Sequence, residues 1–296
     1  MKIRLRHMIA RALLAGMLAA PPVSAQVVVD IVGDSAHATI SLLDDHGATF
    51  EAEAIIDFRA PQNLSAESLN LTAELFDPTD PVIAGRMPAG IQPTADFPMI
   101  VTVEPPLVNW LFRSGFEAGQ SPTGSLSFRD AYDFELHTHH LVYAPGSPYR
   151  LLKAPVGGDF VDITSDVLSG STRARGRGGA FSQFMIGVDE RLQLLVALDK
   201  LIALDARLLT AVLDDLLRLD LVGLLVQVNT ALLVPLLGCQ NAQAPLAEFR
   251  AEVDKNAGTG IANAWRAERD LVNDAGELES LAATLQFTLL RCASGQ

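Results

Sequence analysis

Residues 188–238 constrain the fold most. The stretch is rich in Leu and holds no Pro before Pro235 and no Gly before Gly223. Leu192, Leu195, Leu198, Ile202, Ala206, Leu209, Leu213 and Leu216 recur at i, i+3, i+4 spacing, which lines them along one side of a helix. Gln193, Lys200, Arg207, Asp214 and Arg218 fall off that line. An apolar stripe of this length needs other helices to cover it. The pattern predicts a helix from Asp189, a natural N-cap type, to about Asp220, unbroken or bent near Asp205. Residues 221–237 are the most apolar run and read as a central bundle helix, kinked at Pro235 and closed by Gly238. Leu246, Phe249 and Val253 mark an amphipathic helix over 242–255, and Ile261, Trp265 and Leu271 a short one. A capping box from Asp274 to Glu277 opens the last helix.

Before Val188 the apolar period is two, not 3.6. Residues 27–32 and 36–43 read as strands. In 49–58, Phe50, Ala52, Ala54 and Ile56 oppose Glu51, Glu53 and Asp57, with a switch near Ile55. Further short runs follow at 69–75, 98–104, 125–143, 147–153, 159–164, 170–176 and 180–187. Many short strands without alternating helices exclude a parallel α/β sheet and predict a sandwich or barrel. The expected fold is α+β in two segregated parts: an N-terminal antiparallel β-sandwich, Ig-like, over 26–187, and a C-terminal α-helical bundle over 188–296. The period changes between Ile186 and Asp189 with almost no linker. The bundle, with its own stripe, is expected to fold alone. Pro105 to Gly124 carries Trp110, Phe112 and Phe116; it reads as a surface loop tucking aromatics onto the sheet, or as an exposed recognition loop.

Residues 1–25 have the form of a secretory signal peptide. Lys2, Arg4, Arg6 and Arg11 precede the apolar run Ala12–Ala20, and Val23-Ser24-Ala25 is a small-residue cleavage site. The apolar run is shorter than the ~20 residues a membrane span needs. Cleavage before Gln26 would place the protein in the periplasm or outside the cell. It removes four of the 22 Lys and Arg and none of the 35 Asp and Glu. So acidic a chain is a poor partner for nucleic acid, which demands concentrated positive charge. Contact with a membrane is not expected either. Cys239 and Cys292 are the only cysteines. In an exported chain the simplest reading is one disulfide, worth on the order of 4 kcal/mol through loop closure.

Two polar patterns stand out. Glu135, His137 and His139 alternate on one strand, so two imidazoles and a carboxylate share a face. That set fits Zn²⁺ with an open position, and hence a metal-dependent hydrolase. Arg173, Arg175 and Arg177 alternate on another strand, a basic stripe able to grip carboxylates or phosphates. For each, the plainer reading is a solvated or internally paired strand face. No nucleophile elbow, phosphate loop or dinucleotide fingerprint occurs in a fitting context, and no cofactor is implied.

The runs Leu-His-Thr-His at 136–139, Lys-Ala-Pro-Val-Gly-Gly-Asp-Phe-Val-Asp-Ile-Thr at 153–164 and Gly-Ser-Thr-Arg-Ala-Arg-Gly-Arg-Gly-Gly-Ala-Phe-Ser-Gln-Phe at 170–184 resemble an uncharacterised family of exported proteobacterial proteins, a domain of unknown function. Trp-Arg-Ala-Glu-Arg-Asp-Leu-Val-Asn-Asp-Ala-Gly at 265–276 is similar to its helical part. The resemblance implies no activity. The residues favour an exported non-catalytic binding or structural protein of the bacterial envelope, its partner an unidentified protein or envelope polymer. The metal-dependent hydrolase and a protein resting its apolar helices on a membrane are the alternatives.

Overall fold

The computed structural model describes residues 26–107 and 125–295. The expected leader and Trp110, Phe112 and Phe116 lie outside the described residues. One antiparallel sheet takes β1 (Gln26–Val32), β2 (Ser35–Leu43), β3 (Thr49–Gln62), β7 (Ser127–Thr138), β11 (Thr172–Gly178) and β10 (Thr164–Leu168), in that order. The other takes β4 (Leu71–Leu75), β6 (Met99–Val103), β12 (Gln183–Asp189), β8 (Tyr149–Ala154) and β9 (Val161–Asp162), with β5 (Ile91–Pro93) also against β12. Two short helices, α1 (Ala66–Leu69) and α2 (Pro81–Gly85), lie in the connections.

Period-two alternation positions these strands. In β3, Ala52, Ala54, Ile56 and Phe58 are buried while Glu51, Glu53 and Asp57 are exposed, so the alternation runs through Ile55 without a switch. Side chains of both sheets meet in one cluster. Ile40, Ile56 and Phe134 come from the first sheet, and Met99, Val101 and Phe184 from the second. The rings of Phe134 and Phe184 stack with centroids 3.9 Å apart. Each such burial is worth about 1.5–3 kcal/mol, which commits the inner faces; the second sheet's other face buries its own cluster through Ile100, Leu152 and Met185.

The helices are α3 (Gln193–Thr210), α4 (Asp215–Leu232), α5 (Gly238–Asn241), α6 (Gln243–Asn256) and α7 (Asp274–Ala293). The single helix expected from Asp189 to Asp220 is two. The chain breaks at 211–214, where Leu213 bridges to Ile261, and Asp214 restarts it by accepting from the amides of Leu216 and Leu217 at 3.0 Å. Asp189 does not cap α3. Its carboxylate takes the Arg191 guanidinium at 2.8–2.9 Å, and Leu192 at the N-cap offers no side-chain acceptor. The box expected at Asp274 is replaced by Asn273, whose side chain accepts from Gly276 N. Glu277 turns instead to Lys153 Nζ at 2.8 Å and Gly179 N at 2.9 Å. Gly238 opens α5 rather than closing α4; a Cβ there would lie 2.7 Å from Leu232 O. Cys239 and Cys292 are disulfide-bonded, tying α5 to α7.

The chain is thus mixed α+β with antiparallel sheets, but its halves share material across residue 188. Where a short helix was expected around Trp265, residues Ala264–Arg266 form β13, paired with β7 in the first sheet. The Trp265 ring stacks on Phe128 at 5.2 Å and meets Phe181 edge-on at 5.1 Å. Trp265 and Ala267 belong to the β cluster. Burying an indole between the Phe128 and Phe181 rings outweighs the weak helical propensity of three residues. A second tie is Lys200 of α3. It is buried, with Nζ 2.6 Å from Asp162 of β9 and 2.7 and 2.9 Å from the Thr284 and Thr288 hydroxyls of α7. Among the described residues, no helix is long and apolar enough to cross a membrane.

Candidate functional site

The outer face of the first sheet carries Glu135, His137, Arg173, Arg175 and Arg177, with His139 just past the end of β7. β7 and β11 are antiparallel with His137 opposite Arg173, Glu135 opposite Arg175 and Asp133 opposite Arg177. Each arginine therefore faces an acid or imidazole across the strand pair. Glu135 takes Arg175 at 2.5 Å and Arg173 at 3.6 Å. Arg177 takes Asp133 at 2.7 Å and, on its other side, Glu279 of α7 at 2.7 Å. Burial opposes the charge on Arg177, but those two carboxylates outweigh it and hold its pKa above the ordinary value.

Glu135, His137 and His139 do not converge. Glu135 is turned to the arginines. His137 and His139 sit with ring centroids 4.8 Å apart, His137 buried and His139 exposed. Among the described residues, no three His, Cys, Asp or Glu side chains are grouped to hold a metal ion. His137 is committed differently: Nδ1 lies 3.0 Å from Glu53 Oε2 on β3, and Nε2 lies 2.5 Å from Ser171 Oγ in the β10–β11 turn. With Nδ1 protonated, the ring donates to Glu53 and accepts from Ser171, the order of partners that draws a proton from a serine hydroxyl. Glu53 and Ser171 were not legible as partners, because one comes from β3 and the other from the β10–β11 turn, and neither carries a motif.

At the other end of this face the sheet meets α6 and α7, leaving a cleft of about 360 Å³. Its charged lining is Arg59, Arg177, Arg250, Asp130, Asp254 and Glu279. Bulges aim the sheet residues into it. The β3–β7 register shifts on both sides of Arg59, and Asp130 sits at φ 54°, a left-handed conformation uncommon outside glycine. Asp130 is fixed there by its amide donating to Asn263 O at 2.7 Å, its carboxylate accepting from Asn263 Nδ2 at 2.8 Å, and its carbonyl accepting from Asn273 Nδ2 at 2.6 Å. Arg59 lies 3.8 Å from Asp130 and 4.0 Å from Asp254. Arg250 grips Glu279 and Gln286. Two guanidiniums, Arg177 and Arg250, thus converge on one carboxylate at the cleft wall. Sequence reading found Arg177 alone; Arg59 and Arg250 are isolated charges until the fold gathers them.

No curated protein and no solved structure matches the chain. A family model does match, over residues 13–293, nearly its whole length. The chain therefore belongs to the family of unknown function DUF6689.

Proposed function

We propose that this is an exported binding or structural protein of the bacterial envelope that holds an anionic group of its partner in the cleft between the first sheet and helices α6 and α7. One observation carries the reading: Arg177 and Arg250 point at the same carboxylate, Glu279, with Arg59 across the cleft. An incoming carboxylate or phosphate that displaces Glu279 inherits the Nε/Nη2 fork of Arg250 and the Nη1 of Arg177, a charge-assisted anion clamp. The scaffold reading, an Ig-like β-sandwich carrying a helical bundle, is supported by one apolar cluster fed from both sheets and a second fed by α3, α4, α6 and α7. Export rests on the leader pattern and fits the disulfide. The test is thermal: inorganic phosphate or citrate should raise the Tm of the intact protein by mass action, about 2.7 kcal/mol at a hundredfold excess over Kd. Arg250→Gln should abolish the rise. A Tm indifferent to both anions refutes the clamp.

A second reading, a serine-type hydrolase, is favoured by the Ser171–His137–Glu53 chain of contacts. Ser171 Oγ would bond to an ester carbonyl carbon while His137 Nε2 takes its proton; that proton then leaves with the alcohol, and water splits the acyl-serine. A fluorophosphonate probe decides it. Labelling at Ser171 that is lost in His137→Gln supports the reading, and an unlabelled native protein rejects it.

A further inference from the structure

A second cleft, of about 510 Å³, opens where β6 and β8 end and β12 begins, against the start of α7. Much of its wall is apolar. Phe181 and Trp265, edge to face at 5.1 Å, form one side. Leu271 and Val272, 41% and 58% exposed, form another. Three charged side chains share the lining. Arg269 and Glu104 stand 3.8 Å apart and offset each other. The third is Glu277, in the first turn of α7. Glu279, two residues on, lines the arginine cleft instead. Positions i and i+2 of a helix point about 200° apart, so neighbouring acids of α7 serve two separate clefts.

Both hydrogen bonds to Glu277 fall on Oε1, from Lys153 Nζ at 2.8 Å and Gly179 N at 2.9 Å. Among the described residues Oε2 receives none, and the side chain is 26% exposed rather than sealed. Burial pushes this carboxyl up, but Lys153 and the Gly179 amide outweigh it and hold it below its ordinary value. The cleft therefore joins aromatic and aliphatic walls to one ionised carboxylate, fixed by one oxygen and free at the other. We infer that it binds a small organic cation, a protonated amine on an aromatic or aliphatic body. The body displaces water from Phe181, Trp265, Leu271 and Val272, which supplies affinity. The ammonium donates to Glu277 Oε2 in a charge-assisted bond. An anion of the same shape is disfavoured, because the lining holds two carboxylates against one guanidinium. This site is independent of the arginine cleft and of the anion reading given to it.

Calorimetric titration of the intact protein with phenethylamine, 2-phenylethanol and phenylacetate tests the inference with one body and three head groups. Phenethylamine is expected to bind saturably and at least tenfold tighter than 2-phenylethanol. Val272→Trp fills the cleft from its exposed wall and leaves Glu277 untouched; it should weaken phenethylamine at least tenfold with the circular dichroism spectrum unchanged. Glu277→Gln should bring the amine down to the level of the alcohol. Any uptake of phenylacetate, which the arginine cleft would account for, should be unaffected by Val272→Trp. Native protein that binds no phenethylamine overturns the inference, as does amine binding that Val272→Trp leaves intact. So does an affinity indifferent to the head group, or an amine preference that survives Glu277→Gln.

Discussion

Replacing Lys200 with Met tests how the helices are fixed to the second sheet. Lys200 Nζ sits 2.6 Å from Asp162 Oδ2, but Oδ2 receives no well-directed hydrogen bond, so the pair is held by charge more than by direction. Burial pulls the Lys200 pKa below its ordinary value, and Asp162 works against that pull. Asp162 Oδ1 is satisfied by the Thr164 amide and hydroxyl at 2.8 and 2.6 Å, and Arg150 Nε stands 4.0 Å from Oδ2. Lys200→Met keeps the volume and leaves Asp162 one weaker partner, Arg150. Breaking a buried pair from one side costs about 3–5 kcal/mol; at roughly 2–4 °C per kcal/mol for a chain of this size, the Tm should fall by about 6–20 °C. Asp162→Asn should cost more. It strands two buried cations, Lys200 and Arg150, and Arg150 already has an unpartnered Nη2. Chemical and thermal denaturation of the two variants measure both. A loss below about 1 kcal/mol for Lys200→Met, or a milder effect of Asp162→Asn than of Lys200→Met, would refute the argument.

Three other outcomes follow from the same contacts. Burial pushes the Glu277 and Asp189 carboxyls up, but Lys153 and the Gly179 amide on one, and Arg191 on the other, outweigh it and hold both below their ordinary values. Their stabilisation is therefore fully present above the unfolded-state pKa values and is lost as pH falls through the folded ones; urea titrations should show a steep acid limb that Glu277→Gln flattens, and an unchanged limb contradicts this. Residues 188–296 expressed alone lose the β7 partner of Trp265 and the Asp162 partner of Lys200, so the fragment should aggregate or lack native near-UV signal; a soluble fragment with native dispersion would restore the independent bundle. Reducing Cys239–Cys292, or replacing both with Ala, should cost on the order of 4 kcal/mol, and a melting curve insensitive to reductant would count against it.

The sequence by itself determined the local periods. Alternation in β3 and the Leu rhythm of α3 fix which side of each element is apolar, because a strand repeats at two and a helix at 3.6 regardless of what lies opposite. It determined that Arg173, Arg175 and Arg177 project together, since they share one strand face. It also determined the pair that must bond in an oxidising compartment, there being two cysteines. Tertiary structure decided the rest. Trp265 is a strand residue because Phe128, stacked, and Phe181, edge-on, offer it an aromatic pocket from distant parts of the chain. Lys200 is buried because Asp162, Thr284 and Thr288 surround it, none within eight turns of helix in sequence or on its own element. Glu135 is spent on arginines and His137 on Glu53 and Ser171 because strand register, not spacing within a strand, sets who faces whom. The cleft exists only where bulges in β3 and β7 meet α6 and α7, and its arginines come from positions 59, 177 and 250. Spacing along a chain specifies a face; the partner of that face is chosen by the packing of elements far apart in sequence.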